Sequence, residues 1–164
     1  MRNVNDKMGD ADMLLAEPPG MSRPRRALAE LARRERGLEL ACEAFAAHAG
    51  GVPASDLRAF AAEHRAAADL LDERLASVHG RRAPYPLRDR LAAWAAIARG
   101  TAAALGWLAD REMDLLGLYR ARLCVFDAPT RRAIERRLLP QAVMRLAAAD
   151  RLAFVAADSP LVSV

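Results

Sequence analysis

Apolar residues recur every three or four positions along most of this 164-residue chain, and no stretch alternates as a half-buried strand would. From Arg25 to about Ala49 the ladder is Leu28, Leu31, Leu38, Cys42 and Phe45, with Glu35 on one of its rungs. Gly50-Gly51-Val52-Pro53 predicts the end of that helix, since glycine readily takes the left-handed turn that closes a C-terminus. Ser55 or Asp56 is the expected cap of a second helix reaching about His79. Its ladder runs Leu57, Phe60 or Ala61, His64, Ala67 or Ala68, Leu71, Leu75 and Val78. A short turn between two long helices makes an antiparallel hairpin.

Two prolines break the pattern between Gly80 and Pro86, a predicted linker. A short helix, Leu87–Arg99, carries Trp94 and Ile97, and Gly100 is expected to interrupt it. The next helix, Thr101 to about Phe126, points Leu105, Leu108, Glu112, Leu115, Tyr119, Leu123 and Phe126 inward. Asp127 then caps a turn with Pro129 in the first helical turn. The last helix, Thr130 to about Ala157, has Ile134, Leu138, Gln141, Arg145, Ala148, Leu152 and Val155 on one stripe and a kink expected at Pro140. The economical solution is all-α: an antiparallel four-helix bundle with a short extra helix between helices 2 and 3. Its body spans residues 25–157, between an N-terminal tail (1–24) and a C-terminal tail (158–164). Within the first tail, Met13-Leu14-Leu15 forms a small apolar anchor for the body or for a partner.

Composition sharpens this picture in two respects. Ala is the commonest residue and β-branched residues are scarce, which favours helix. No apolar run approaches the ~20 residues that span a bilayer, so a cytoplasmic protein is the expectation. Of the 25 basic residues, all but Lys7 are arginine, set among 21 acids. Their interleaving, as in Arg33-Arg34-Glu35-Arg36, reads as solvated helix faces laced by ion pairs. With no aromatic interleaving, it argues against a nucleic-acid interface. Cys42 and Cys124 fall at apolar-face positions and are too few for a disulfide framework.

The run Arg111-Glu112-Met113-Asp114-Leu115-Leu116-Gly117-Leu118-Tyr119-Arg120-Ala121-Arg122-Leu123 resembles the third bundle helix of a small bacterial ferritin-like family related to rubrerythrins. The Trp94 element and the stretch from Glu135-Arg136-Arg137 to Asp150-Arg151-Leu152 are similar to its short Trp-bearing helix and its last helix, so the likeness covers roughly residues 27–153. The resemblance implies a ferritin-like bundle and, as in many relatives, a di-iron or di-manganese centre. Such a centre takes a Glu from each of two helices and Glu-x-x-His from each of the other two. This chain has no Glu-x-x-His, and its histidines are His48, His64 and His79.

Three ionisable residues still fall on inward rungs: Glu35, His64 and Glu112, with Arg145 on the inward stripe of the last helix. Glu112 stands 16 residues before Ala128 and Arg145 stands 17 after it, so the two share a height and are expected to pair. By the same count Glu39 lies opposite His64, which predicts a hydrogen bond between them. One reading of these residues is a remnant metal site built from Glu35, Glu39, His64 and Glu112. The favoured reading is a buried polar network of Glu112, Arg145, Glu39 and His64, with the guanidinium supplying the positive charge a metal supplies elsewhere. His48 and His79 sit where an imidazolium complements a helix C-terminus. Trp94, Trp107 and Tyr119 read as core. The function these features imply is an interaction or assembly protein with a degenerate di-metal site, working with a protein partner or as a homodimer. The alternative is an iron or manganese oxidoreductase or metal-handling protein with an unorthodox ligand set. A third possibility is a pocket for a small apolar ligand among the Ala-rich helices.

Overall fold

The computed structural model describes residues 22–49, 51–78 and 87–158. All the regular structure in them is helical: α1 (Arg23–His48), α2 (Gly51–Ser77), α3 (Leu87–Ile97), α4 (Thr101–Arg122), a 3₁₀ turn (Leu123–Val125), α5 (Ala128–Ala133), a π turn (Ile134–Leu138) and α6 (Leu139–Asp158). None of the described helices is long and apolar enough to cross a membrane. The Met13-Leu14-Leu15 anchor, His79, the 80–86 linker and the tail from residue 159 onward lie outside the described residues.

The helix ends show where local chemistry departs from the expected boundaries. α1 starts at Arg23, two residues inside the predicted tail, because Pro24 sits in the first turn, where its missing N–H is not needed. It closes on Ala49 in an extended conformation, with the Ala49 N–H donating to the Phe45 carbonyl. α2 begins at Gly51 rather than behind a Ser55 or Asp56 cap; Pro53 again fits a first turn. Gly100 has φ 103°, a left-handed value that breaks the chain between α3 and α4. Asp127 accepts a hydrogen bond from the Thr130 N–H at 3.0 Å and caps α5.

Ahead of Pro140 the chain widens into the π turn instead of merely kinking, and the Leu139 N–H donates to the Ile134 carbonyl. A π turn rotates the downstream helix relative to an unbroken α count. The buried residues of α6 are Ala142, Arg145 and Ala149: the expected Arg145 holds, Ala148 and Leu152 are half-buried, and the expected Gln141 and Val155 are exposed.

α1 and α2 form the closest-packed pair, antiparallel, with Arg36 meeting Asp69 and Arg65 meeting Glu43. α4 packs on α6, and α1 on α4, where Phe45 meets Trp107 edge-on at 5.8 Å and Arg122 pairs with Glu30. The core between them is built of leucines and alanines: Leu28, Leu31, Leu71, Leu75, Leu108, Leu115 and Ile134 are fully buried. α3 lies against α1 and α4. Gly37 makes this approach possible, since a Cβ there would stand 2.9 Å from the Asp89 carboxylate. Trp94, expected in the core, is 44% exposed on α3 with its ring edge-on to His48. Cys124 is exposed in the 3₁₀ turn after α4 rather than on an apolar face, and Cys42 is buried.

Candidate functional site: a buried charge cluster

The inward rungs of four helices converge on one polar layer. Glu35 comes from α1, His64 from α2, Glu112 and Tyr119 from α4, and Arg145 from α6; all five are essentially inaccessible to water. Glu35 is the hub. Its Oε1 accepts from Tyr119 Oη at 2.5 Å and from Arg145 Nη2 at 3.2 Å. Its Oε2 accepts from His64 Nδ1 at 2.5 Å. The other imidazole nitrogen, Nε2, donates to Glu112 Oε1 at 2.7 Å, and Arg145 Nε lies 3.5 Å from that same oxygen.

Both imidazole nitrogens face carboxylate oxygens, so both carry protons and the ring is an imidazolium. Burial alone would lower the His64 pKa, but the Glu35 charge and the bonds to Cys42, Glu112 and Glu35 outweigh it and hold it well above its ordinary value. Burial likewise pushes Glu35 up, and here the His64 charge and hydrogen bond, then Arg145 and Tyr119, bring it below its ordinary value. The Tyr119 hydroxyl is held protonated by burial and by the adjacent Glu35 carboxylate. Burial also raises the Cys42 thiol. Two carboxylates therefore face two cations, and the layer is close to neutral. That balance lets charge sit where none is hydrated, because an unpaired buried ion costs several kcal/mol.

The expected Glu112–Arg145 ion pair is present, with Arg145 Nε 3.5 Å from Glu112 Oε1, while the guanidinium donates its hydrogen bonds to Glu35. The expected Glu39–His64 bond does not form. Glu39 does not touch His64. It faces the α1–α2 flank, where Arg65 Nε donates to it at 2.6 Å and Arg36 Nη1 at 3.1 Å. Four residues of helix leave a net turn of about 40° and a rise of about 6 Å, so Glu39 stands one turn along and to the flank of Glu35, which takes both the imidazole and the guanidinium. Tyr119 is the member not foreseen as polar: its rung marked it as core, and only the position of Glu35 on the facing helix shows what its hydroxyl meets. His48 is exposed at the end of α1, its Nδ1 2.8 Å from the Ala44 carbonyl oxygen, a tie to the last turn.

As a metal cradle the cluster fits poorly. A ligating imidazole must offer a lone pair, and both His64 nitrogens are engaged as donors. The fourth side of the layer holds a guanidinium, a fixed cation. Among the described residues no group of three or more His, Cys, Asp or Glu is placed to hold a metal ion. Three atoms of the layer leave slack: Glu112 Oε2, Arg145 Nε and Arg145 Nη1 are buried without a hydrogen-bond partner, although Nε lies 3.5 Å from Glu112 Oε1 and Nη1 lies 3.9 Å from Glu63 Oε2. The chain matches no family model, no curated protein and no solved structure.

Proposed function

We propose that this chain is a ferritin-like four-helix bundle whose centre has exchanged a di-metal site for internal counter-ions, and that it serves as an interaction or assembly protein in the cytoplasm. The observation that carries the reading is the closed charge balance of Glu35 and Glu112 against His64 and Arg145. In a di-metal bundle the inward carboxylates are neutralised by divalent ions. Here two protein cations fill that role, and Arg145 would repel a metal from the same space. With both His64 nitrogens and the Arg145 guanidinium committed to the two carboxylates, what the layer offers in this reading is stability and shape. The outer faces suit an interaction role: α6 leaves Met144, Phe154 and Val155 exposed, and α3 leaves Leu87 and Leu91 exposed. Apolar faces of this kind are what a partner or a second copy covers.

The competing reading, an iron or manganese oxidoreductase built on Glu35, His64 and Glu112, has one observation in its favour: the unbonded, buried Oε2 of Glu112. Elemental analysis separates the two. Protein purified without chelators, then equilibrated with Fe(II) or Mn(II) and desalted, is expected to retain far less than one metal per chain. Stoichiometric metal that is lost in Glu112→Gln would establish the enzyme reading instead.

A further inference from the structure

A groove of about 290 Å³ runs along the outside of the α1–α4 seam, beside the start of α3. It lies apart from the charge layer, and none of the five clustered residues lines it. Its floor is apolar, made by Leu38, Leu115 and Leu118 with Gly117 between them, and a Cβ built on Gly117 would meet nothing within 4 Å. Trp107 closes one end, with the Arg111 guanidinium 5.6 Å over its ring. The rim charges are matched among themselves or with a neighbour: Arg34 with Asp89, Arg111 with Asp114, and Glu30 with Arg122. A balanced rim over an apolar floor gives a strongly charged ligand nothing to hold and calls for apolar side chains.

We infer that this groove is occupied by the chain's own Met13-Leu14-Leu15 segment, folded back along α1. The described structure starts at Ser22, just ahead of α1, and the groove begins at Glu30 and reaches Leu38. At about 1.5 Å per helical residue, those positions lie about 10 to 22 Å along the axis from Arg23. Leu15 precedes Arg23 by eight residues, and an extended chain of that length reaches about 26 Å. Pro18-Pro19-Gly20 stands where the reversal is required. The three apolar residues match the three leucines of the floor in chemistry. A tethered segment also acts at a local concentration of order millimolar, well above that of a separate molecule in dilute solution. The occupancy does not depend on the metal reading. If the groove serves partners, they compete with this segment.

A disulfide trap tests it in the full-length chain. The variant Leu14→Cys/Gly117→Cys/Cys124→Ser is oxidised at low concentration and compared with Val4→Cys/Gly117→Cys/Cys124→Ser. The inference expects an intramolecular 14–117 disulfide forming on the order of tenfold faster than the 4–117 control, the excess that specific docking adds to tethering alone. Equal rates for the two pairs, or a 117–117 disulfide between two chains as the main product, would overturn it. A second readout leaves the groove lining unsubstituted. In a Trp94→Phe background, Leu14→Asp/Leu15→Asp is expected to shift Trp107 emission to the red and open it to acrylamide. An unchanged Trp107 spectrum and quenching constant would also overturn it.

Discussion

Arg145→Ala is expected to destabilise the fold by roughly 3–5 kcal/mol, the range for breaking a buried ion pair on one side. For a domain of this size that corresponds to a melting temperature lower by roughly 6–20 °C. The loss arises from what stays behind. Glu35 keeps its bonds from His64 and Tyr119, but one imidazolium is then left to balance two buried carboxylates. Because the cost belongs to the orphaned charge, neutralising a partner recovers part of it. Arg145→Ala/Glu35→Gln is expected to be less unstable than the sum of its single substitutions. Calorimetric melts of the four proteins check this. Strict additivity, or an Arg145→Ala melt matching the parent, would show that the guanidinium carries no net interaction with the layer.

Glu35→Gln carries the second large effect, a loss of roughly 3 kcal/mol at neutral pH together with a changed pH profile. In the parent, the His64 pKa is raised on folding. Its contribution is therefore complete below the ordinary imidazole value of 6.5 and is lost as pH rises through the folded value. Glu35 has the opposite sign. Its pKa is lowered, so its contribution is present above its ordinary 4.5 and is lost as pH falls through the folded value. Stability is thus greatest between these limits and declines on the alkaline side as His64 gives up its proton. With Gln at position 35 the largest attraction on the imidazolium disappears, burial is opposed only by Cys42 and Glu112, and the His64 pKa in the fold falls. The alkaline decline attributable to it should shrink and move to lower pH. Urea midpoints measured from pH 5 to 9 check both arms; parallel profiles for parent and variant would rule out Glu35 as the group that holds the proton.

The sequence makes some of this layer legible and hides the rest for physical reasons. Glu35, His64 and Glu112 interrupt apolar ladders at rungs where only a buried side chain fits, so their burial can be read from periodicity. The heights of Glu112 and Arg145 come from counting outward from the Asp127-Ala128-Pro129 turn, because rise per residue is nearly constant. Pairing is a finer matter. Height alone makes Glu39 the neighbour of His64, whereas the azimuth around α1 delivers Glu35 to the centre and leaves Glu39 to Arg65 and Arg36. On α6 the expected Arg145 is buried but its neighbours on the stripe are Ala142 and Ala149 rather than Gln141 and Ala148, a choice between adjacent positions that three- and four-residue spacings leave open. Trp94 misleads through its size: α3 is short, its buried face is made by Ala93 and Ala96, and the indole is left at the rim beside His48. The groove beside α3 is invisible in the sequence because it depends on the missing side chain of Gly117 and on the close approach that Gly37 permits.

The protonation state of one imidazole decides whether this layer is a set of internal counter-ions or a metal site. At pH 7.5, with Fe(II) or Mn(II) present or absent, ¹⁵N spectra of His64 are expected to show two protonated ring nitrogens, one hydrogen-bonded to each carboxylate, and no change on adding metal. A ring with one bare nitrogen, or a His64 signal broadened or shifted by stoichiometric metal, would contradict the counter-ion reading.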